Sequence, residues 1–258
     1  MEIKLRVTAD WHLRNDVPKC RTETEEEWLE YQFDVLQEIY NSADYVLIAG
    51  DIFHRSKPSI SLVNKTIKFI ANQKAETFAI AGNHDLPYHN IDLLPDSAFQ
   101  TLVESAIFSH PVFISGSHYG AEESEQAPIY LHHEYCATEE NGIIQAIHPE
   151  TLLDQYNQTN LIVCGDNHSH FHYTSKDAQH VIVPGCTTIQ AADKVDYDPV
   201  FYSFTYNTGS KVIENIESHL LPNNKENITT THIDVQNERD DRISAFVELL
   251  HKKDNISL

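Results

Sequence analysis

The first 85 residues set three short apolar runs around two helix-like stretches, and each run stops at residues that carry chemistry. The runs are "EIKLRVTAD", "DYVLIAGD" and "ETFAIAGNHD". In the first, Ile3, Leu5, Val7 and Ala9 alternate onto one face, the period of a strand. Lys4 and Arg6 take the other face, which a strand buried on both sides would not tolerate. "TETEEEWLEYQFDVLQEIYN" reads as a helix, with Thr24 and Glu27 as a capping box and Leu29, Phe33, Leu36 and Tyr40 as an apolar stripe. "KPSISLVNKTIKFIANQ" reads as a second helix. This strand–helix–strand–helix–strand order predicts a parallel sheet of the α/β class.

Further along, "PDSAFQTLVES" and "PETLLDQYN" read as helices, and "PVFISG", "APIYLHHE", "NLIVCGD", "HVIVPG" and "PVFYSFTY" as strands. The last two leave no room for a helix between them, so the pattern predicts increasingly antiparallel pairing in the second half. After about residue 210 the chain turns polar. "LPNNKENITTTH" reads as a linker, and "NERDDRISAFVELLHKK" as one amphipathic helix with Ile243, Phe246, Val247 and Leu250 on a face. That is too little chain for a core of its own. The expected organisation is one domain over 1–210, then a linker and helix over 211–258.

No apolar run is long enough to span a membrane, and "MEIKLRVTAD" is not a signal peptide. Cys20, Cys136, Cys164 and Cys186 lack CxxC spacing, which fits reduced thiols in a cytoplasmic protein. Cys164 and Cys186 are expected to pack as small apolar residues. With 18 basic and 39 acidic residues the formal net charge is −21. Such a chain repels phosphate backbones in general. A nucleic-acid enzyme built from it would need metals, a local basic patch or a partner.

The polar residues at the strand ends form a pattern. They are Asp10-Trp11-His12, Gly50-Asp51, Gly82-Asn83-His84-Asp85, His132-His133 and Gly165-Asp166-Asn167-His168. Three of the chain's eight glycines directly precede a candidate ligand, where a glycine lets the backbone turn as the strand finishes. Ligands of open α/β sheets bind beyond the carboxyl ends of strands. Asp10 and His12, two apart, point the same way on an extended segment. The two oxygens of Asp51 can bridge two cations, Asn83 offers an amide oxygen, and His133 and His168 add imidazoles. This mixed set suits Mn, Fe or Zn, and two ions about 3.5–4 Å apart form a clamp for phosphoryl chemistry. His84 is placed to give a proton to the leaving oxygen, with Asp85 expected to orient its ring. His132 is the alternative to His133. His54 and His89 are expected at structural or substrate-edge positions, and His170 and His172 along a solvated strand.

"DWH", "GDIF", "GNHD", a downstream His and "GDNH" resemble the ordered motifs of calcineurin-like metallophosphoesterases. Within them, "ADWHLRN", "VLIAGDIFHRSKPS" and "AIAGNHDLPYHN" are similar to the SbcD-type DNA repair nucleases and their phage-encoded relatives, over roughly residues 3–206. The resemblance implies two β-sheets sandwiched between helices (four layers, αββα) and a centre of two divalent ions, Mn2+ first, with Mg2+, Fe or Zn as alternatives. It implies 3′→5′ exonuclease and single-strand endonuclease activity on DNA, a homodimer, and an SbcC-type coiled-coil ATPase as partner. By position, Asp10, His12, Asp51 and His168 would hold one metal, and Asp51, Asn83, His133 and Asp166 the other, with His84 catalytic. Two departures stand out. Asp166 replaces the family's histidine after the last glycine, leaving His168 with His170 as a competing register. The chain after 210 is also too short for the family's capping domain. The same centre would serve a small-nucleotide phosphodiesterase or phosphatase, and a non-catalytic subunit that binds a partner would share the fold.

Overall fold

The computed structural model describes residues 1–139 and 146–231. Among the described residues ten strands form two five-stranded sheets. The first sheet has the order β10-β9-β1-β2-β3, from β1 (Glu2–Thr8), β2 (Tyr45–Ala49), β3 (Glu76–Ile80), β9 (Val200–Asn207) and β10 (Ile213–Leu220). The second runs β4-β5-β6-β8-β7, from β4 (Ile114–Gly116), β5 (Ile129–His133), β6 (Leu161–Gly165), β7 (Phe171–Thr174) and β8 (His180–Val183). Helices α1 (Glu25–Tyr40), α2 (Ile60–Ala71) and α3 (Ala98–Glu104) contribute to one outer core, and α4 (Pro149–Gln155) to the other. The expected sandwich of two sheets between helices is the architecture observed.

The alternation in β1 sorts its side chains between layers. Ile3, Leu5 and Val7 enter the apolar layer between the sheets with Leu47, Leu131 and Val163. On the helix side Arg6 is not an unpaired charge. Its guanidinium donates to the Glu38 carbonyl oxygen at 2.6 Å near the end of α1 and lies over the Phe201 ring, so a carbonyl-rich helix end receives a cation. The Thr24–Glu27 capping box is present at the start of α1.

The second half turns antiparallel toward its end, as expected: β4, β5, β6 and β8 pair in parallel, while β7 with β8, β9 with β1 and β10 with β9 run antiparallel. Only a short 3-10 helix, Ala192–Lys194, separates β8 from β9, and the chain changes sheets there, so those strands are not partners. Residues 213–220, placed in the expected tail, form β10 and pair with β9. The expected amphipathic helix with Ile243 and Phe246 lies outside the described residues.

Candidate metal centre

Strands β1, β2, β3, β5 and β6 all end at the same rim of the sandwich. The ladder between β1 and β2 continues past the strand ends, with Asp10 N donating to Gly50 O (3.1 Å) and His12 N to Asp51 O (3.0 Å). Four of the candidate ligands adopt the left-handed region there: Asp10 (φ 50°), His12 (45°), Asp51 (54°) and Asp166 (77°). Asp10–His12 is therefore a sharp turn, and the proximity of its side chains does not come from strand alternation. Left-handed residues other than glycine cost energy and gather at functional sites.

Of the three glycines before candidate ligands, Gly50 takes the positive φ (93°) of the expected turn, whereas Gly82 and Gly165 do not. A Cβ on Gly82 would lie 2.2 Å from Asp51 Oδ1 and 2.6 Å from His133 Cε1, so its hydrogen side makes room for two candidate ligands. At Gly165, the end of a second-sheet strand, a Cβ would lie 2.0 Å from the carbonyl oxygen of Ala49 at the end of a first-sheet strand.

Asp51 sits between two imidazoles. Its Oδ2 is 3.6 Å from His12 Nε2, and its Oδ1 is 3.6 Å from His133 Nε2. His12 Nε2 is 3.0 Å from His168 Nε2. On the other side His133 Nε2 is 3.3 Å from Asn83 Oδ1 and 4.0 Å from Asp166 Oδ1. His133 Nδ1 donates to the Ala49 carbonyl (2.7 Å), which turns Nε2 toward the site. Asp10, His12 and His168 form one tight group, and Asp10, Asp51 and His133 another. All seven candidate metal ligands therefore converge. Asp166 stands at the edge of the groups, its backbone N–H donating to Asp10 Oδ1 at 3.2 Å. His132 faces away and pairs with Glu134. His170 leaves the site to face Tyr202 Oη at 3.3 Å.

Burial sets the charge states. It pushes the carboxyls of Asp10 and Asp51 well above the usual range, and neighbouring carboxylates push further. It holds His12 well below the ordinary histidine value and lowers His168 too. The His12 and His168 imidazoles are thus held toward the neutral form, and the two acids resist ionising without a cation. Asp10 Oδ2 and His12 Nδ1 are buried and have no hydrogen-bond partner. An unpartnered buried carboxylate oxygen amid neutral imidazoles fits a divalent ion.

His84 lies beside this set. Its backbone N–H donates to Asp51 Oδ1 (2.8 Å), and its Nδ1–H to the His54 carbonyl (3.0 Å). The carbonyl fixes the tautomer and leaves Nε2 free. Asp85 does not orient this ring, contrary to expectation. It is fully buried and accepts from the backbone N–H groups of Ile52, Phe53 and Gly82, so it ties the loops after β2 and β3 together. His54 contributes more than its carbonyl, forming a third tight group with His12 and His84. Burial and the nearby Arg14 hold it at about 4. Its place directly after "GDIF" was the available signal.

A cleft of about 180 Å³ opens on His12, His84 and His168, with Arg14, Gln190 and Lys194 on its walls. It adjoins a groove of 740 Å³ that shares Arg14 and Gln190 and adds Lys19 and Arg55. A side arm past His54 adds Lys57. Arg14, Arg55 and Lys57 lie inside the stretches "ADWHLRN" and "VLIAGDIFHRSKPS", while no motif marks Lys19 or Lys194.

A two-sheet sandwich whose strand ends gather carboxylates and imidazoles beside a free histidine defines the metallophosphoesterase class. The chain belongs to the calcineurin-like phosphoesterase family, whose profile matches residues 3–170. That family acts on phosphoester bonds and typically binds two divalent metals. A stretch of 58 residues is 38% identical to the DNA double-strand break repair protein Mre11 of Archaeoglobus fulgidus, covering 20% of this chain and 13% of that protein. The chain thus matches only a small part of that relative's length. A dimetal phosphatase from Danio rerio shares the fold at a TM-score of 0.53, with 12% identity over 85% of this chain and 96% of its own. Vacuolar protein sorting 29 from Cryptosporidium parvum aligns at 0.39, with 15% identity over 85% of this chain and 97% of its own.

Proposed function

We propose that this chain is a two-metal phosphodiesterase that cleaves DNA, a nuclease of the SbcD type acting in repair or recombination as a 3′→5′ exonuclease and single-strand endonuclease. The observation that carries this reading is Asp51, whose two oxygens face His12 on one side and His133 on the other at equal distance. Two divalent ions, Mn2+ first, would neutralise phosphate oxygens and supply a nucleophile at neutral pH. Asp10, His12, Asp51 and His168 would hold one, and Asp51, Asn83, His133 and Asp166 the other. With Nδ1–H given to a carbonyl, His84 turns Nε2 to the leaving oxygen, and as an imidazolium it would donate the Nε2 proton there.

The groove supports a polymeric substrate over a small nucleotide. Arg14, Lys19, Arg55, Lys57 and Lys194 line the cleft and its extensions against Asp16, Asp193 and Glu25. That is a local excess of cations on a chain of net charge −21. Successive backbone phosphates would find partners there while the rest of the surface repels them. The same reading extends to a homodimer and to an SbcC-type ATPase as partner, in the cytoplasm. Among the described residues no helix is long and apolar enough to cross a membrane.

The test is cleavage of end-labelled single-stranded and duplex DNA with Mn2+, beside bis-p-nitrophenyl phosphate and an EDTA control. DNA cleavage supports the proposal. Ester cleavage alone moves the assignment to a small-nucleotide phosphodiesterase, and silence on both to a non-catalytic subunit.

A further inference from the structure

Tyr88 combines two properties that folding alone does not reward. Its backbone is left-handed (φ 55°, ψ 25°), a conformation rare and costly for a bulky L-residue. Its side chain is 92% exposed, so packing returns nothing for that cost. The other exposed large apolar side chains among the described residues are aliphatic. The turn is held from both ends. Pro87 is buried, His89 N donates to Leu86 O (3.1 Å), and Asn90 N to Pro87 O (3.1 Å). His89, also left-handed at φ 55°, sends Nδ1–H to the Asn83 carbonyl at 2.8 Å. The His89 ring stands edge-on to the His84 ring, 5.7 Å between centroids. A solvated aromatic on a backbone-braced turn is thus presented beside His89, whose ring meets that of His84. Backbone outliers that the surroundings over-determine cluster at ligand clamps.

We propose that Tyr88 is a stacking platform for a nucleobase of the strand whose phosphate enters the metal centre. This rests on the phosphodiesterase reading above and gives it a single-stranded or frayed nucleic acid as substrate. Base–aromatic stacking tolerates any sequence, because every base has a π-face. It suits an enzyme whose other contacts are to phosphates. The strained turn keeps the ring off the protein surface, where it would otherwise collapse onto neighbours and lose the face that a base needs.

The test is anisotropy of a labelled single-stranded oligonucleotide in EDTA, alongside cleavage in Mn2+. Tyr88→Ala should weaken binding about 5- to 100-fold, and Tyr88→Trp should restore it. Abasic nucleotides in the oligonucleotide should cost wild type the same factor and cost the Ala variant nothing more. Tyr88→Asn, which tolerates the left-handed region, should keep or raise the unfolding midpoint while binding falls. Equal binding by wild type and Tyr88→Ala overturns the proposal, and so does a midpoint that falls in step with binding. A wild type that binds the strand without cutting it sinks the nuclease reading, while the Tyr88 comparison still decides the platform. A wild type that binds no strand overturns both.

Discussion

Gly82→Ala adds one methyl at a crowded point of the rim. The new Cβ would stand 2.2 Å from Asp51 Oδ1, 2.5 Å from Asp51 N and 2.6 Å from His133 Cε1. None of these neighbours is the end of a flexible side chain. Asp51 is 1% exposed and His133 2%, and the Asp51 carboxylate is held by the His84 N–H. Overpacking of this kind costs about 1–3 kcal/mol. The opposing gain from restricting the unfolded chain is about 0.4–1 kcal/mol, so destabilisation wins. At about 2–4 °C per kcal/mol for a chain of this size, the midpoint should fall by up to about 10 °C. The larger effect falls on function. Pushing the Asp51 carboxylate by about 1 Å should cost about 10²-fold in turnover, with metal content reduced as well. Differential scanning fluorimetry with and without Mn2+, elemental analysis and DNA cleavage would be measured together. Gly209→Ala is the control, since its Cβ would meet only Asn207 Oδ1 at 3.4 Å. Wild-type stability and turnover in Gly82→Ala would refute the idea that this glycine makes room for Asp51 and His133.

Three more outcomes are expected. Asp51→Asn removes a buried acid whose native pKa is raised by burial and by Asp85. Such a group supports the fold below the unfolded value near 4 and loses that contribution as pH rises through the native value. In EDTA at pH 7.5 the variant should therefore melt above wild type, with the gap closing toward pH 4, and Mn2+ should reverse the order; a variant that melts lower in EDTA would contradict this. His84→Ala should slow the chemical step by about 10²-fold or more with metal content near wild type. Metal lost in step with activity would make His84 a ligand. Metal titration of Asp166→Ala and His170→Ala decides the last register. The placement of Asp166 near His133 and of His170 against Tyr202 predicts that only the first variant loses a metal.

The parts legible in the sequence were those written locally. Apolar runs closed by Gly50, Gly82 and Gly165 marked the strand ends, and the residue types after them marked the donors. What stayed hidden depends on contacts between distant segments. Asp85 looks like a partner for its neighbour His84, but the backbone amides of Ile52 and Phe53 reach it first. Gly82 looks like a turn residue until Asp51 and His133 are brought against it. Lys194 carries no motif, and only the folding of residues 186–194 back toward His12 makes it a neighbour of Arg14. Strand β10 hides because its side chains are mostly exposed and mixed in character, so no period of two survives.

The candidate ligands belong to two separate layers. Asp10, His12, Asp51 and Asn83 follow strands of the first sheet, and His133, Asp166 and His168 follow strands of the second. The distance between the two sets is gauged by the apolar filling between sheets, by Leu47, Leu131, Val163 and their neighbours. Coordination bonds tolerate only about 0.2 Å. A methylene added to or taken from that filling shifts the layers against each other on the same scale. Residues that never meet substrate thus inherit the tolerances of an inorganic bond, and drift in this interior should be confined to swaps that conserve volume.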